Sequence, residues 1–331
     1  MRKKWIRGGI FLCLVLLLLS NLNRILCVKS PHGVDQTRYL YVQPKNKIDV
    51  LFLGSSHVHC NVNTQLLWDE YGMAAYLMTG AEQPLWNSYY NLKEALKTQK
   101  PKLVVLDMFC PSRFYDDFQP GWADENLDGM RISLNKLEAV YTSVQEEQSH
   151  FFLGFTEYHS RYDQLTAEDF QNFVWNRKTQ ERWKGYTPLN RHAELTEPDM
   201  SHVTTSQEMT EKSKEYFEKI VELTKKEGIA LALISGPYLL EERDQEVYNS
   251  IGQLAEKDGL LFWNTNTPAH YREMGLDFST DYADHAHLNE AGGAKYTAYL
   301  GKWISQNYSF PDRRGQKGYE SWENQLMKSG E

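Results

Sequence analysis

Two short stretches hold residue types that can act together on an acyl group. The first is Gly54-Ser55-Ser56-His57, directly after the apolar run Ile48–Leu53. A serine on a tight strand-to-helix turn is held exposed, with its own N–H aimed where an oxyanion would form. The helix N-terminus behind it favours negative charge. The second stretch is Asp284-His285-Ala286-His287-Leu288-Asn289, followed by Gly292, Gly293 and an amphipathic segment. A serine is a weak nucleophile until a base takes its proton, and that base needs a carboxylate to fix its tautomer. Asp284 and His287 are three residues apart, so one turn of chain can set both on one side. Each stretch also has a plainer reading, as a small-residue turn and a polar loop that cap helices. Asp281 competes with Asp284 for the carboxylate's place. Two histidines and an aspartate also suggest a metal site. Further ligands at suitable spacing are missing, so neither a metal nor an organic cofactor is expected.

Positioning these residues requires strands that end near one another. Ile48–Leu53, Ala74–Met78, Leu103–Phe109, Ile229–Ser235 and Leu260–Trp263 are continuous apolar runs of strand length, which predict buried parallel strands. Helical stretches alternate with them: Asn63–Tyr71 with Asn63 as N-cap and Gly72 as stop, Pro84–Lys100, Ser206–Glu227, Glu241–Lys257 and Asn289–Asn307. Alternating strands and helices imply a parallel sheet covered on both faces, with ligands at the carboxyl ends of the strands. Residues from about 110 to 200 break the rhythm and predict a mostly helical insertion, with Ile132–Gln148 as one helix, covering one end of the sheet. Residues 29–47 predict an irregular stalk, and 311–331 a loose tail.

Together, the two stretches resemble the SGNH/GDSL hydrolase superfamily. That family carries its nucleophile as the Ser of a G-D-S or G-x-S block after the first strand, and its acid and base in a D-x-x-H block near the C-terminus. The resemblance covers about residues 47–307 apart from the insertion, and is nearest to the extracytoplasmic branch of DltD-like and alginate O-acetylation proteins. It implies a three-layer, flavodoxin-like α/β fold over 48–310, with Ser56, Asp284 and His287 as a catalytic triad. It also implies an oxyanion hole from the N–H groups of Ser56 and Gly80. The family's third block supplies an Asn, and here that strand reads Val104-Val105-Leu106-Asp107-Met108-Phe109. Asp107 could donate only if protonated, so Gln83 is the candidate substitute. His57 and Gln83 are candidate substrate contacts, with His59 beside them. Arg161, Lys184 and Arg191 are candidate contacts to an anionic polymer.

Composition sets the class. The chain has 331 residues, 41% hydrophobic, 24% charged and 13% aromatic, with a formal net charge of −8. This describes a globular protein and leaves out the basic face that nucleic acid needs. Arg2, Lys3, Lys4 and Arg7 precede the apolar run Ile10–Leu19. Residues 1–28 therefore predict a signal anchor or transmembrane segment, with a cleaved signal as the alternative, and place the rest outside the cytoplasmic membrane. Cys60 and Cys110 are expected as buried free thiols, with a disulfide as the alternative. The activity expected is serine-dependent ester hydrolysis or O-acyl transfer on an acylated, for example O-acetylated, cell-envelope polysaccharide. A membrane-bound O-acyltransferase is a candidate partner. The alternative is a non-catalytic relative that binds glycan or assists such an acyltransferase.

Overall fold

A computed structural model describes residues 2–26, 32–152, 158–166, 169–172 and 183–323. In chain order its regular elements are α1 (Arg2–Leu26), α2 (Val34–Leu40), β1 (Val50–Gly54), α3 (Ser56–Asn61), α4 (Thr64–Tyr71), β2 (Ala75–Thr79), α5 (Leu85–Leu96) and β3 (Leu103–Asp107). The insertion then gives α6 (Phe109–Arg113), α7 (Pro120–Leu127) and α8 (Leu134–Ser143). Last come α9 (Glu211–Glu227), β4 (Ala230–Ser235), α10 (Glu242–Asp258), β5 (Leu261–Asn264), α11 (Pro268–Met274), α12 (Glu290–Asn307) and α13 (Glu320–Glu323).

The five strands form one parallel sheet in the order β2-β1-β3-β4-β5. This is a three-layer α/β protein with the flavodoxin-like strand order. Strand side chains alternate between two cores. Leu51, Leu53, Tyr76, Met78, Val104, Leu106 and Leu233 join one with α5, α9 and α10. Val50, Phe52, Leu77, Val105 and Ile234 join the other with α11 and α12. Strands β1 to β4 are covered on both faces, which is why they read as unbroken apolar runs, while the edge strand β5 leaves Leu261 exposed. Chain order reverses between β1 and β3, so the cleft at their carboxyl ends is the natural ligand position.

Caps fix the helix starts that matter. The Asn63 side chain accepts from the Leu66 N–H, the Asn289 side chain accepts from Gly292, and Gly72 closes α4 in the left-handed conformation. Over Lys3–Asn23, α1 is long and apolar enough to cross a membrane. Residues 1, 27 and 28 of the expected anchor lie outside the described residues. His32 follows Leu26 by six chain steps, and Gly33 donates to the Thr79 carbonyl at the carboxyl end of β2.

Two expected boundaries are corrected. From residue 32 the proposed stalk is not irregular: α2 buries Val34, Gln36, Thr37 and Leu40. Gln36 acts as a side-chain neighbour for the edge strand β2, accepting from Thr79 N–H (2.7 Å) and donating to the Gly185 carbonyl (2.8 Å). An edge strand offers unpaired backbone groups, and this packing hides them. Nor are residues 311–323 loose. Arg313 forks onto Asp49 at 2.7 and 2.8 Å, and the fully buried Trp322 donates to the Ala75 carbonyl (3.0 Å). Residues 324–331 lie outside the described residues. The insertion does more than cover an end of the sheet: α8 packs along α5, while residues 183–193 run past α3 to the loop before α12.

Candidate active site

Strand β1 ends at Gly54, whose φ of +153° lies outside the range side chains favour. A Cβ there would stand 2.5 Å from the Asp107 Cβ and 2.9 Å from Val58. Only glycine lets β1 turn this tightly against β3. Ser55 then caps α3, its hydroxyl accepting from His57 N–H (3.3 Å) and donating to Asp107 (3.3 Å). This leaves Ser56 as the first helical residue, partly exposed at the carboxyl end of the sheet. Its N–H has no intrahelical acceptor, and the described residues supply no other.

The loop before α12 carries the second half. Tyr282 and Leu288 bridge, and the N–H groups of Ala283 and Asp284 donate to the His287 carbonyl. Asn61, fully buried at the end of α3, accepts from Leu288 N–H (3.0 Å), while its carbonyl accepts from Thr297 of α12 (3.1 Å). Asn61 therefore ties the helix carrying Ser56 to the loop carrying His287. Across that tie, His287 Nε2 lies 2.7 Å from Ser56 Oγ, and His287 Nδ1 lies 2.8 Å from Asp284 Oδ1. A carboxylate only accepts, so Nδ1 carries the proton and Nε2 is left to accept from the serine hydroxyl. Asp284 Oδ1 also accepts from the N–H groups of Ala286 (2.9 Å) and His287 (3.0 Å), and Oδ2 from Arg191 (2.9 Å). Burial pushes the Asp284 carboxyl up. The hydrogen bond and charge of His287, the Ala286 N–H and the Arg191 guanidinium outweigh it and hold the group well below the usual carboxylate range.

Other sequence candidates fall elsewhere. Asp281 is buried, pairs with Lys295 (2.7 Å) and accepts from Asp277 N–H (2.7 Å), so it braces the loop away from His287. Gly80 lies beside β1, but its N–H points back to the Gly54 carbonyl (3.4 Å). A Cβ on Gly80 would meet Asn126 Oδ1 at 2.2 Å, so close approach to α7 explains this glycine. Gln83 is corrected as a donor or substrate contact. It is buried, donates to the Ser88 hydroxyl (3.0 Å) and accepts from Asn91 (2.8 Å), so its amide is spent inside the fold. His57 is corrected likewise. It is 2% exposed, stacked on Phe109 with centroids 3.5 Å apart and set edge-on to Tyr238. Burial and the neighbouring His287 push its pKa well below the ordinary value, so it stays neutral and packs under the cleft. His59 is buried too, against His32 and the Thr79 hydroxyl. Lys184 is buried over Trp322 and donates to Gln43 and Ser321, and Arg161 donates to the Leu26 carbonyl. Of the three basic residues proposed as polymer contacts, Arg191 alone reaches the site. Cys60 and Cys110 are free and buried.

Asp107 occupies the position at which a donor was missed. Burial pushes its carboxyl up to about 7, partly offset by the Ser55 hydroxyl and the N–H groups of Phe109 and Ser55. An unfolded Asp ionises near pH 3.9. Between about pH 4 and 7 the fold thus retains a proton that the unfolded chain has lost. That stabilising contribution is fully present below pH 4 and is lost as the pH rises through 7. Asp107→Asn removes the titration. Urea melts at pH 5 and pH 8 are expected to show wild type losing stability relative to the variant as pH rises. A difference independent of pH would overturn this account.

No family model matches this sequence, and no curated protein matches it. Among solved structures, a candidate acylhydrolase from Bacteroides fragilis aligns over 85% of this chain and 99% of its own, at 12% identity and a TM-score of 0.42. A likeness of that size assigns no activity, so the chemistry of the cleft rests on its own residues.

Proposed function

We propose that this chain is a serine-dependent acyl-transferring enzyme of the SGNH type. Its substrate would be an acylated, for example O-acetylated, cell-envelope polysaccharide. The observation that carries this reading is the relay of Ser56 Oγ, His287 and Asp284 at 2.7 and 2.8 Å, with Ser56 and His287 brought together from 231 residues apart. In the proposed cycle, Ser56 Oγ attacks the ester carbonyl carbon while its proton passes to His287 Nε2. Asp284 stabilises the imidazolium, and the Ser56 N–H faces the developing oxyanion. As the tetrahedral intermediate collapses, the C–O bond to the sugar breaks and the sugar oxygen takes the proton from His287. An acyl-Ser56 ester remains. Water or a second hydroxyl, deprotonated by His287, then attacks it and frees Ser56.

Water as acceptor makes the chain a hydrolase, and a sugar hydroxyl makes it a transferase. The apolar helix α1 favours a membrane setting with the domain on its extracytoplasmic side. It also favours an acyl donor supplied by a membrane-bound O-acyltransferase. The engaged Gly80 N–H and the absent third-block Asn favour a second reading, a glycan-binding relative without turnover. A fluorophosphonate probe on the full chain separates the two. Labelling of wild type and none of Ser56→Ala is the expected result. An unlabelled Ser56 sinks the enzyme reading.

A further inference from the structure

Helix α8 turns large apolar side chains outward and polar ones inward. Its buried residues include Asn135, Lys136 and Ser143. Asn135 donates to the Tyr90 carbonyl (3.0 Å) and to Glu94 (2.9 Å) of α5, and Ser143 donates to Asn87 (2.6 Å). These polar bonds fix which way the helix faces. The outer face is then left with Leu134, Leu137 and Tyr141, spaced i, i+3 and i+7 along one stripe. Ile132 comes just before them. Ile132, Leu134, Leu137 and Tyr141 are 72%, 77%, 41% and 58% exposed. Single exposed apolar residues are ordinary, but four within ten residues make a patch of the kind that marks a contact.

The two ends of the stripe differ in charge. At the Leu134 end, Arg131 is exposed, with its guanidinium 4.0 Å over the Tyr41 ring and no carboxylate partner among the described residues. At the Tyr141 end lies a hollow of about 490 Å³, lined by the carboxylates of Asp117, Glu211 and Glu215 against the single ammonium of Lys212. The exposed Glu146 and Glu147 follow the helix. A basic start and an acidic end are the reverse of what the helix dipole favours. They do suit a second copy of the same helix laid antiparallel. Leu137 then meets Leu137, Leu134 meets Tyr141, and Arg131 reaches the acidic hollow. Such a contact pairs residue i with j and j with i, as twofold symmetry requires. Glu138, beside Leu137, is already neutralised by Lys93 (2.7 Å). An anionic lipid surface fits less well, because the acidic end would be repelled from it.

The area is sufficient. At roughly 200 Å² for a fully exposed large apolar side chain, the stripe offers about 500 Å² on each copy and about 1,000 Å² in a pair, the lower bound for a specific interface. Helix α1 is long and apolar enough to hold both copies in one membrane, where a small interface is enough.

We propose that the α8 stripe is a twofold contact between two copies of this chain, with Arg131 of each copy at the acidic hollow of the other. The contact is independent of the chemistry at Ser56. The test uses the full chain with Cys13→Ser and Cys27→Ser, which leaves the buried Cys60 and Cys110. In phosphatidylcholine vesicles, adding Leu137→Cys is expected to give a disulfide-linked dimer under copper phenanthroline. Leu261→Cys, exposed on β5, is the control and is expected to give little. In micelles at high protein-to-detergent ratio, sedimentation equilibrium is expected to show a dimer. Leu137→Glu should raise its Kd at least 100-fold. Arg131→Glu should weaken it about 5- to 10-fold, and adding Glu211→Arg should restore most of the loss. Both positions on α8's side are exposed, so unchanged urea midpoints will show that the fold survives.

A monomeric wild type, or a dimer indifferent to Leu137→Glu, overturns the contact. So does cross-linking through Leu137→Cys no stronger than through Leu261→Cys. A charge swap that fails to restore association overturns the antiparallel arrangement.

Discussion

Replacing His287 by alanine is expected to lower kcat for a small ester by roughly 10⁴- to 10⁶-fold with KM little changed. The size follows from how much passes through one ring. His287 Nε2 sits 2.7 Å from the Ser56 hydroxyl and Nδ1 sits 2.8 Å from Asp284, so the base, its orientation and its charge compensation are lost together. Groups acting as a unit are not additive, so Ser56→Ala and the double variant should be no slower than His287→Ala. Asp284→Asn should cost somewhat less, about 10³- to 10⁴-fold, because an amide cannot fix the same tautomer. Rates for p-nitrophenyl acetate across the four variants check this. A double variant clearly slower than either single one would mean that the two residues act separately, and the relay would have to be given up.

Trp322→Ala is the stability counterpart, expected to cost roughly 3–5 kcal/mol. Trp322 is fully buried, stacks against Trp68, lies under the Lys184 ammonium at 3.9 Å and donates to the backbone of the edge strand β2. Removing it empties a large site, strands the Ala75 carbonyl and leaves a buried ammonium without its aromatic face. Urea melts give the number. A chain ending at residue 310, lacking this tryptophan and the Arg313–Asp49 fork, should be less stable still. If the shortened chain melts within about 1 kcal/mol of the full one, the tail is an accessory and not part of the fold.

The contrast between these two predictions shows what the sequence exposes. Strands β1 to β4 were legible because a strand buried on both faces has no polar alternation to hide it, and β5, an edge strand with Leu261 exposed, was legible from its short apolar run. Ser56 and His287 were legible because the fold places them at fixed points, one after β1 and one before α12. Trp322 was not legible. A tryptophan in a polar tail looks solvated until β2, 247 residues away in sequence, is brought beside it. Helix α2 was missed for the same reason: at seven residues it stands on its contacts with β2 rather than on its own propensity. Arg191 looked like a surface charge for a polymer, and its place on Asp284 depends on how residues 183–193 cross α3. Gln83 failed in the opposite direction. Its spacing after β2 suited a donor to the cleft, but the side chain turned inward to Ser88 and Asn91. Asn61 gave no signal, since holding two loops together asks only for an amide and leaves no pattern in the chain.

The short link between α1 and the domain has its own consequence. Six chain steps from Leu26 to His32 reach at most about 20 Å. With α1 in a bilayer, the start of the domain at His32 would be held within that distance of the lipid and away from the bulk. Encounters become two-dimensional, and the local concentration of anything rooted in the same membrane rises without any added contact. On the proposed reading, polymer far from the membrane would be out of reach whatever its chemistry. Lengthening residues 27–31 with a flexible insert would therefore widen the range of acceptors the cleft can meet while diluting each of them.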